Sequence, residues 1–132
     1  MNKYFKIVSL LTLGLFFVAC TDAPSEGFSK SGKSGSLTIT YSSSKPLVVG
    51  NNTIDVKITE NGKVVTDVSK VEFKVFMPEM PGMPYMENTK LMAPNAEVYS
   101  GNINFSMGGT WQVKIFIEKD TKKYKISSSV IL

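Results

Sequence analysis

An all-β domain built from antiparallel strands is expected from three observations. From Leu37 onward apolar residues recur with period two, the pattern of strands with one buried face. Pairs of Gly, Asn and Asp punctuate these runs as turns do. No segment between them carries the 3.6-residue period of a helix.

The elements follow in order. Leu37, Ile39 and Tyr41 alternate with Thr38 and Thr40; Ile54, Val56 and Ile58 alternate with Asp55 and Lys57. Val71, Phe73 and Val75 form the next run, and Ile103, Phe105 and Met107 another. Trp111, Val113, Ile115 and Ile117 form a longer one, and Tyr124, Ile126 and Val130 the last. Val64-Val65 adds a short strand after Asn61-Gly62. Expected turns are Gly50-Asn51-Asn52, Asn61-Gly62, Gly108-Gly109 and Asp120-Thr121. Six or seven strands within residues 36–132 suit an immunoglobulin-like antiparallel β-sandwich, with a small β-barrel as the alternative. A domain of about 100 residues can bury a sufficient core without staples. Lysines on the strands fall mostly on the polar phase, where they keep the surface soluble and protect edges.

The N-terminus reads as an address. Lys3 and Lys6 precede a mostly apolar run, Ile7–Val18, broken only by Ser9, Thr12 and Gly14. A basic start, a short apolar stretch and a small residue before the break make residues 1–19 a signal peptide. A membrane-spanning helix would need roughly 20 apolar residues. Cys20 is the only cysteine and stands directly after the expected cleavage point. Val18-Ala19-Cys20 resembles a bacterial lipoprotein lipobox, with Phe17 where Leu is usual. The resemblance implies cleavage before Cys20, lipidation of that residue and attachment to a membrane. More than one acyl chain is needed for stable anchoring. Thr21 in place of Asp favours the outer membrane of a bacterial cell envelope, with the domain facing the periplasm. The segment through residue 35 is rich in Ser, Gly and Lys, so residues 20–35 are expected to be the lipidated Cys and a flexible linker. Such a linker would have a root-mean-square reach of about 20–24 Å.

Composition excludes several functions. With 42% hydrophobic and 20% charged residues the chain is not disordered. It has no His, so the commonest acid-base residue, the usual catalytic triads and the usual Zn(II) or Cu(II) ligand are absent. It has no Arg, so bidentate clamping of phosphate is not expected. One Cys permits neither an internal disulfide nor a multi-cysteine metal site. Residues 1–19 hold two of the 15 lysines and no acid, which leaves 13 Lys against 11 acids, a net +2, from Cys20 onward. That charge has no basic stripe, so no nucleic-acid partner is expected. No nucleophile–base pair, carboxylate pair or phosphate loop is legible, so no enzyme activity and no organic cofactor are expected.

The excess is methionine. Residues 77–86 read Met-Pro-Glu-Met-Pro-Gly-Met-Pro-Tyr-Met, with methionine at every third position. In a polyproline II helix these would line one face, spaced roughly 9 Å apart. Met80-Pro81-Gly82-Met83 supplies a bend instead, since Pro and Gly occupy the central positions preferred by a type II turn. Thioether sulfur is a soft, uncharged ligand that favours Cu(I), and by the same softness Ag(I), over hard ions. Met77, Met80, Met83 and Met86 are therefore candidate metal ligands, with Met107 and Met92 as additional ones. Three other readings stay open: gap-filling in the core, which suits Met77 and Met107; an adaptable surface for a protein partner; and sacrificial oxidation. Trp111 is read as core, with a cation-facing ring as the alternative.

Two stretches carry a family resemblance. Val71–Met86 is a strand running into a Met-Pro loop. Tyr99–Val113 holds the pattern Tyr…Phe-x-Met-x-Gly…Trp-x-Val through Tyr99, Phe105, Met107, Gly109, Trp111 and Val113. From about Val48 to Leu132 the chain resembles YtkA-like and FixH-like periplasmic domains. The resemblance implies a β-sandwich and a role in copper handling, either in resistance or in assembly of copper-containing respiratory oxidases. The implied partner is a copper efflux or oxidase-assembly protein. FixH-type proteins usually keep an uncleaved membrane helix, so the lipobox favours the resistance or trafficking branch. Two functional classes remain: a Cu(I)-binding envelope chaperone or buffer, and a non-metal interaction module that contacts an envelope complex through its Met-Pro loop.

Overall fold

Alternation of buried and exposed side chains organises the whole of the described chain, residues 27–132 of a computed structural model. The expected signal peptide, Cys20 and the first part of the expected linker lie outside the described residues. The strands are β1 (Phe28–Ser34), β2 (Leu37–Ser43), β3 (Gly50–Glu60), β4 (Lys63–Val64) and β5 (Lys70–Met77). They continue as β6 (Met86–Leu91), β7 (Ala93–Asn95), β8 (Val98–Phe105), β9 (Thr110–Lys119) and β10 (Lys122–Ile131). One sheet has the order β1-β2-β3-β8-β7, with β4 pairing β3; the other has the order β10-β9-β5-β6. Every pairing is antiparallel and neither sheet closes on itself, so the fold is a β-sandwich rather than a barrel.

The inward phase of each predicted run supplies the core. Leu37, Ile39 and Tyr41 from one sheet meet Val71, Phe73, Val75 and Ile115 from the other, and all are buried. Full burial of an aliphatic or Phe side chain contributes about 1.5–3 kcal/mol. Aromatic rings lock the two layers together. Tyr41 stands edge-on to Phe73 at 5.6 Å, and its hydroxyl donates to Ser128 Oγ at 2.6 Å. Phe105 stands edge-on to Trp111 at 5.5 Å.

The structure corrects the predicted elements in four places. Residues 28–34, expected within the flexible linker, form β1, so the sandwich begins before residue 36. Gly35, at φ 58°, turns the chain into β2, and Phe28 packs on Tyr41 at 5.6 Å. Ten strands replace six or seven, because β1, β6 and β7 are edge strands with little apolar content. Pro94 is tolerated in β7 because an edge strand has a side that needs no N–H. Gly50-Asn51-Asn52 is not a turn but the start of β3. The preceding bend is held by the buried Asn52 amide, which accepts from Val48 N–H at 2.9 Å and donates to the carbonyls of Val48 and Gly50. Finally, β8 ends at Phe105, so Met107 lies on the connection to β9 rather than in a strand.

Candidate metal centre

Met77 continues the inward phase of Val71, Phe73 and Val75, and is accordingly buried at the end of β5. It pairs directly with Met86, the first residue of β6. Beyond that pair Pro78 and Pro84 interrupt the ladder, since neither has an N–H to donate. The arms then rejoin at a second methionine pair. Met83 N–H donates to Met80 O at 2.8 Å, and Met80 N–H donates to Met83 O at 3.0 Å. Gly82 lies at φ 82° between them, as the third position of a type II turn requires. The expected bend is present, and it closes a hairpin instead of bending a polyproline helix. Directly opposed residues of antiparallel arms have Cβ atoms about 4.5–5.5 Å apart. Two methionine pairs are thus stacked along one hairpin.

The hairpin faces the connection between β8 and β9. Met77, Pro78, Met80 and Met83 line one side of a cleft, and Gly108, Gly109, Thr110 and Gln112 line the other. Gly109 lies at φ 126°, and a Cβ there would stand 3.2 Å from the Met77 methyl carbon. The absent side chain is what lets the connection close over Met77. Met80 is 46% exposed, Met83 is half-buried and Met77 is 2% exposed. Three sulfur-bearing side chains at three depths therefore share one opening.

The other candidates sit differently. Met86 is half-buried outside the cleft lining, and Ser106 Oγ–H donates to its sulfur at 3.3 Å. Met107 is half-buried against the core and does not line the cleft either. Its carbonyl accepts the Trp111 Nε1–H at 3.0 Å, which fixes the connection 106–109 against the sandwich. Trp111 is buried and packs edge-on against Phe105, so the core reading of this residue holds. Met92 is buried where β6 passes into β7, and its N–H donates to Val71 O. Val71 and Met77 are six residues apart on β5, a separation of about 20 Å in a strand. Met92 is core and remote from the hairpin. Thr110, Gln112 and Ser106 complete the surroundings, and no sequence signal distinguished them from ordinary strand and loop polar residues.

The chemistry of this donor set is neutral and soft. Among the described residues there is no cluster of three His, Cys, Asp or Glu that could hold a metal ion. Within the hairpin the charged side chain is the exposed Glu79, which does not line the cleft, and further charge lies beside it, on the outer face of the four-stranded sheet. Tyr85 O–H donates to Glu87 Oε2 at 2.7 Å, and Lys74 Nζ lies 3.4 Å from the same oxygen. The Tyr85 hydrogen bond is the main cause holding the Glu87 carboxyl below its ordinary range, with Lys74 assisting. The same bond raises the Tyr85 hydroxyl above its usual value. Phe76 packs beside Tyr85 at 6.1 Å, with Lys74 and Lys114 ammoniums 5.6 and 5.3 Å from its ring centre.

A two-sheet antiparallel sandwich with a methionine hairpin at one end defines the class of protein. The YtkA-like family model matches residues 32–116, and the chain belongs to that family. The matched span runs from β1 into β9 and so contains both walls of the cleft. Comparison with curated proteins and with solved structures found no match.

Proposed function

We propose that this chain is a lipid-anchored protein of the bacterial envelope that binds Cu(I), or Ag(I), through its methionine hairpin. It acts as a copper chaperone or buffer, in resistance or, as the resemblance to FixH-like domains implies, in the assembly of a copper oxidase. The carrying observation is the Met80–Met83 turn, whose two backbone hydrogen bonds hold two thioether side chains at the mouth of a cleft floored by Met77. Thioethers favour Cu(I) because both are soft, and they need no deprotonation to bind. Met80 is exposed enough to capture or release an ion, while Met77 and Met83 lie deeper. Met86 lies outside the cleft lining and spends one sulfur lone pair on the Ser106 hydroxyl, so it is a supplementary ligand at most. Met107 contributes through its carbonyl, by positioning the opposite wall.

The test is a Cu(I) titration against a competing chelator, wild type beside Met80→Leu/Met83→Leu. The substitution nearly conserves volume and lies outside the core, so stability should change little. The double variant should lose most of the Cu(I) binding, and Met92→Leu should matter less. Zn(II) and Cu(II) should bind weakly to all three. Equal Cu(I) affinity of wild type and double variant would remove the hairpin from the site. A second reading, a non-metal interaction module, is favoured by the exposure of Met80 and Tyr85 on the same hairpin. Absence of Cu(I) binding in the wild type would put that reading ahead.

A further inference from the structure

The two ends of the sandwich differ sharply in polarity. One end carries the methionine hairpin, the bend before β3 and the connection from β8 to β9. Gly108 links these, since a Cβ there would contact both Val49 and the Leu132 carbonyl. Five of the seven large apolar side chains exposed among the described residues lie at this end: Val48, Val49, Met80, Tyr85 and Ile131. The segments 44–49, 78–85 and 106–109 hold only two charged residues, Lys45 and Glu79. The opposite end is crowded with charge. Lys119 pairs with Glu60 at 3.9 Å and with Asp120 at 3.6 Å, Lys63 and Lys122 border the same turns, and Lys70 opens β5 opposite Glu118. Exposed apolar side chains gathered at one end, rather than scattered singly, mark a surface that meets an apolar partner.

The chain path says which partner. β1 runs from the apolar end toward the charged end, because Phe28 pairs with Ser43 and Ser34 with Leu37. Gly27, where the described residues begin, therefore lies on the apolar side. Only six residues lie between Cys20 and Gly27, so the seven Cα–Cα steps reach at most about 25 Å. The ten residues of β9 alone measure about 33 Å. A tether shorter than the domain, joined on its apolar side, keeps that side against whatever holds Cys20.

We propose that the apolar end is a bilayer-docking surface: Val48, Val49 and the hairpin tip around Met80 rest on the phospholipid surface to which Cys20 is anchored. The methionine cleft then opens at the lipid interface rather than toward bulk solvent. Exchange of its cargo would be directed to a membrane-embedded site. This rests on the lipid-anchor part of the function proposed above and not on the identity of the metal.

The test uses the full chain, matured in a bacterial host and reconstituted into vesicles of phosphatidylethanolamine and phosphatidylglycerol containing a brominated-acyl lipid. Cys20 is the only native cysteine, so Val48→Cys and Lys122→Cys each offer one free thiol for an environment-sensitive fluorophore. The label at position 48 should be quenched at least threefold more than the label at position 122. Adding Val49→Glu should reduce that difference. Equal quenching at the two positions in acylated, vesicle-bound protein overturns the docking and leaves the anchor standing. Protein that is unacylated by mass and does not sediment with vesicles overturns the anchor and the docking together, while its copper titration is read independently.

Discussion

Met92 occupies the space that a side chain at position 101 would need. An ideal Cβ on Gly101 would overlap the Met92 sulfur and crowd Lys90 Cγ at 3.1 Å. Met92 is the residue at which the chain leaves the four-stranded sheet and joins the six-stranded one, so its side chain packs the seam between β6 and β8. Gly101→Ala should therefore cost about 1–3 kcal/mol by overpacking. Met92→Ala alone should cost about 2–5 kcal/mol by leaving a cavity. The double variant should be more stable than the sum of the two, because each change relieves the other. Urea midpoints at an unchanged m-value measure this, and strict additivity would show that the two sites do not share space.

The alternation that reveals β2, β5, β9, the centre of β3 and the end of β8 is legible because each of these stretches buries one face. Val71, Phe73 and Val75 could not be read another way. β1 was not legible because its partner supplies the apolar face: FSKSGKS holds one large apolar residue and has the composition of a linker. β6, MENTKL, fails for the same reason at the other edge. Asn52 misled because Asn usually marks a turn from within, whereas here its side chain holds the bend from the third residue of the following strand. At the hairpin, Pro81-Gly82 spelled out the turn in local chemistry. The cleft's opposite wall was not legible, because only the tertiary fold brings Thr110 and Gln112 there.

The β9–β10 hairpin carries backbone strain. Asp120 and Thr121, both non-glycine, lie at φ 50° and 64° between the paired Lys119 and Lys122. A two-residue turn with both φ positive favours Asn-Gly, and a β-branched residue there is an outlier. Left-handed backbone costs an L-residue about 1–2 kcal/mol, while a new glycine gives back about 0.5–1 kcal/mol through unfolded-chain entropy. Asp120→Asn/Thr121→Gly should raise stability by about 1 kcal/mol, seen as a higher denaturant midpoint. A lower midpoint would mean that the Lys119–Asp120 contact outweighs the strain.

The Tyr85–Glu87 bond should be visible as linked titrations. Glu87 is held below its ordinary 4.5 chiefly by the Tyr85 hydrogen bond, so the folded chain prefers the ionised carboxylate. Its contribution to stability is present above the unfolded pKa and is lost as pH falls through the folded value. Tyr85 is raised above 10.0 by the same bond, so its contribution is present at neutral pH and lost as pH rises through the folded value. Tyr85→Phe should move Glu87 back toward 4.5 without reaching it, because Lys74 remains 3.4 Å away. Carbon-detected NMR of the Glu87 carboxyl measures the shift. An unmoved titration would assign the depression to Lys74 and Thr89.

The turn itself can be separated from the sulfurs it presents. Gly82 lies at φ 82°, and a Cβ there would touch nothing within 4 Å, so Gly82→Ala introduces backbone strain without a clash. Closing the turn with an L-residue in this position costs about 1–2 kcal/mol. The hairpin tip lies beyond the Met77–Met86 pair and outside the core, so it can open while both sheets stay paired. If Cu(I) needs Met80 and Met83 held together, that strain must be overcome on binding, and affinity should fall about 5- to 30-fold, since 1.4 kcal/mol is a factor of ten. Asn accepts positive φ more readily than Ala, so Gly82→Asn should lose less. The expected order of Cu(I) affinity is wild type, Gly82→Asn, Gly82→Ala, then Met80→Leu/Met83→Leu. Each affinity should vary little between pH 5 and 7, because thioethers do not titrate there. Chelator competition at both pH values gives the whole series. Wild-type affinity in Gly82→Ala would mean that the sulfurs converge without the turn, and a steep loss toward pH 5 would mean that a titrating group, not thioether alone, holds the ion.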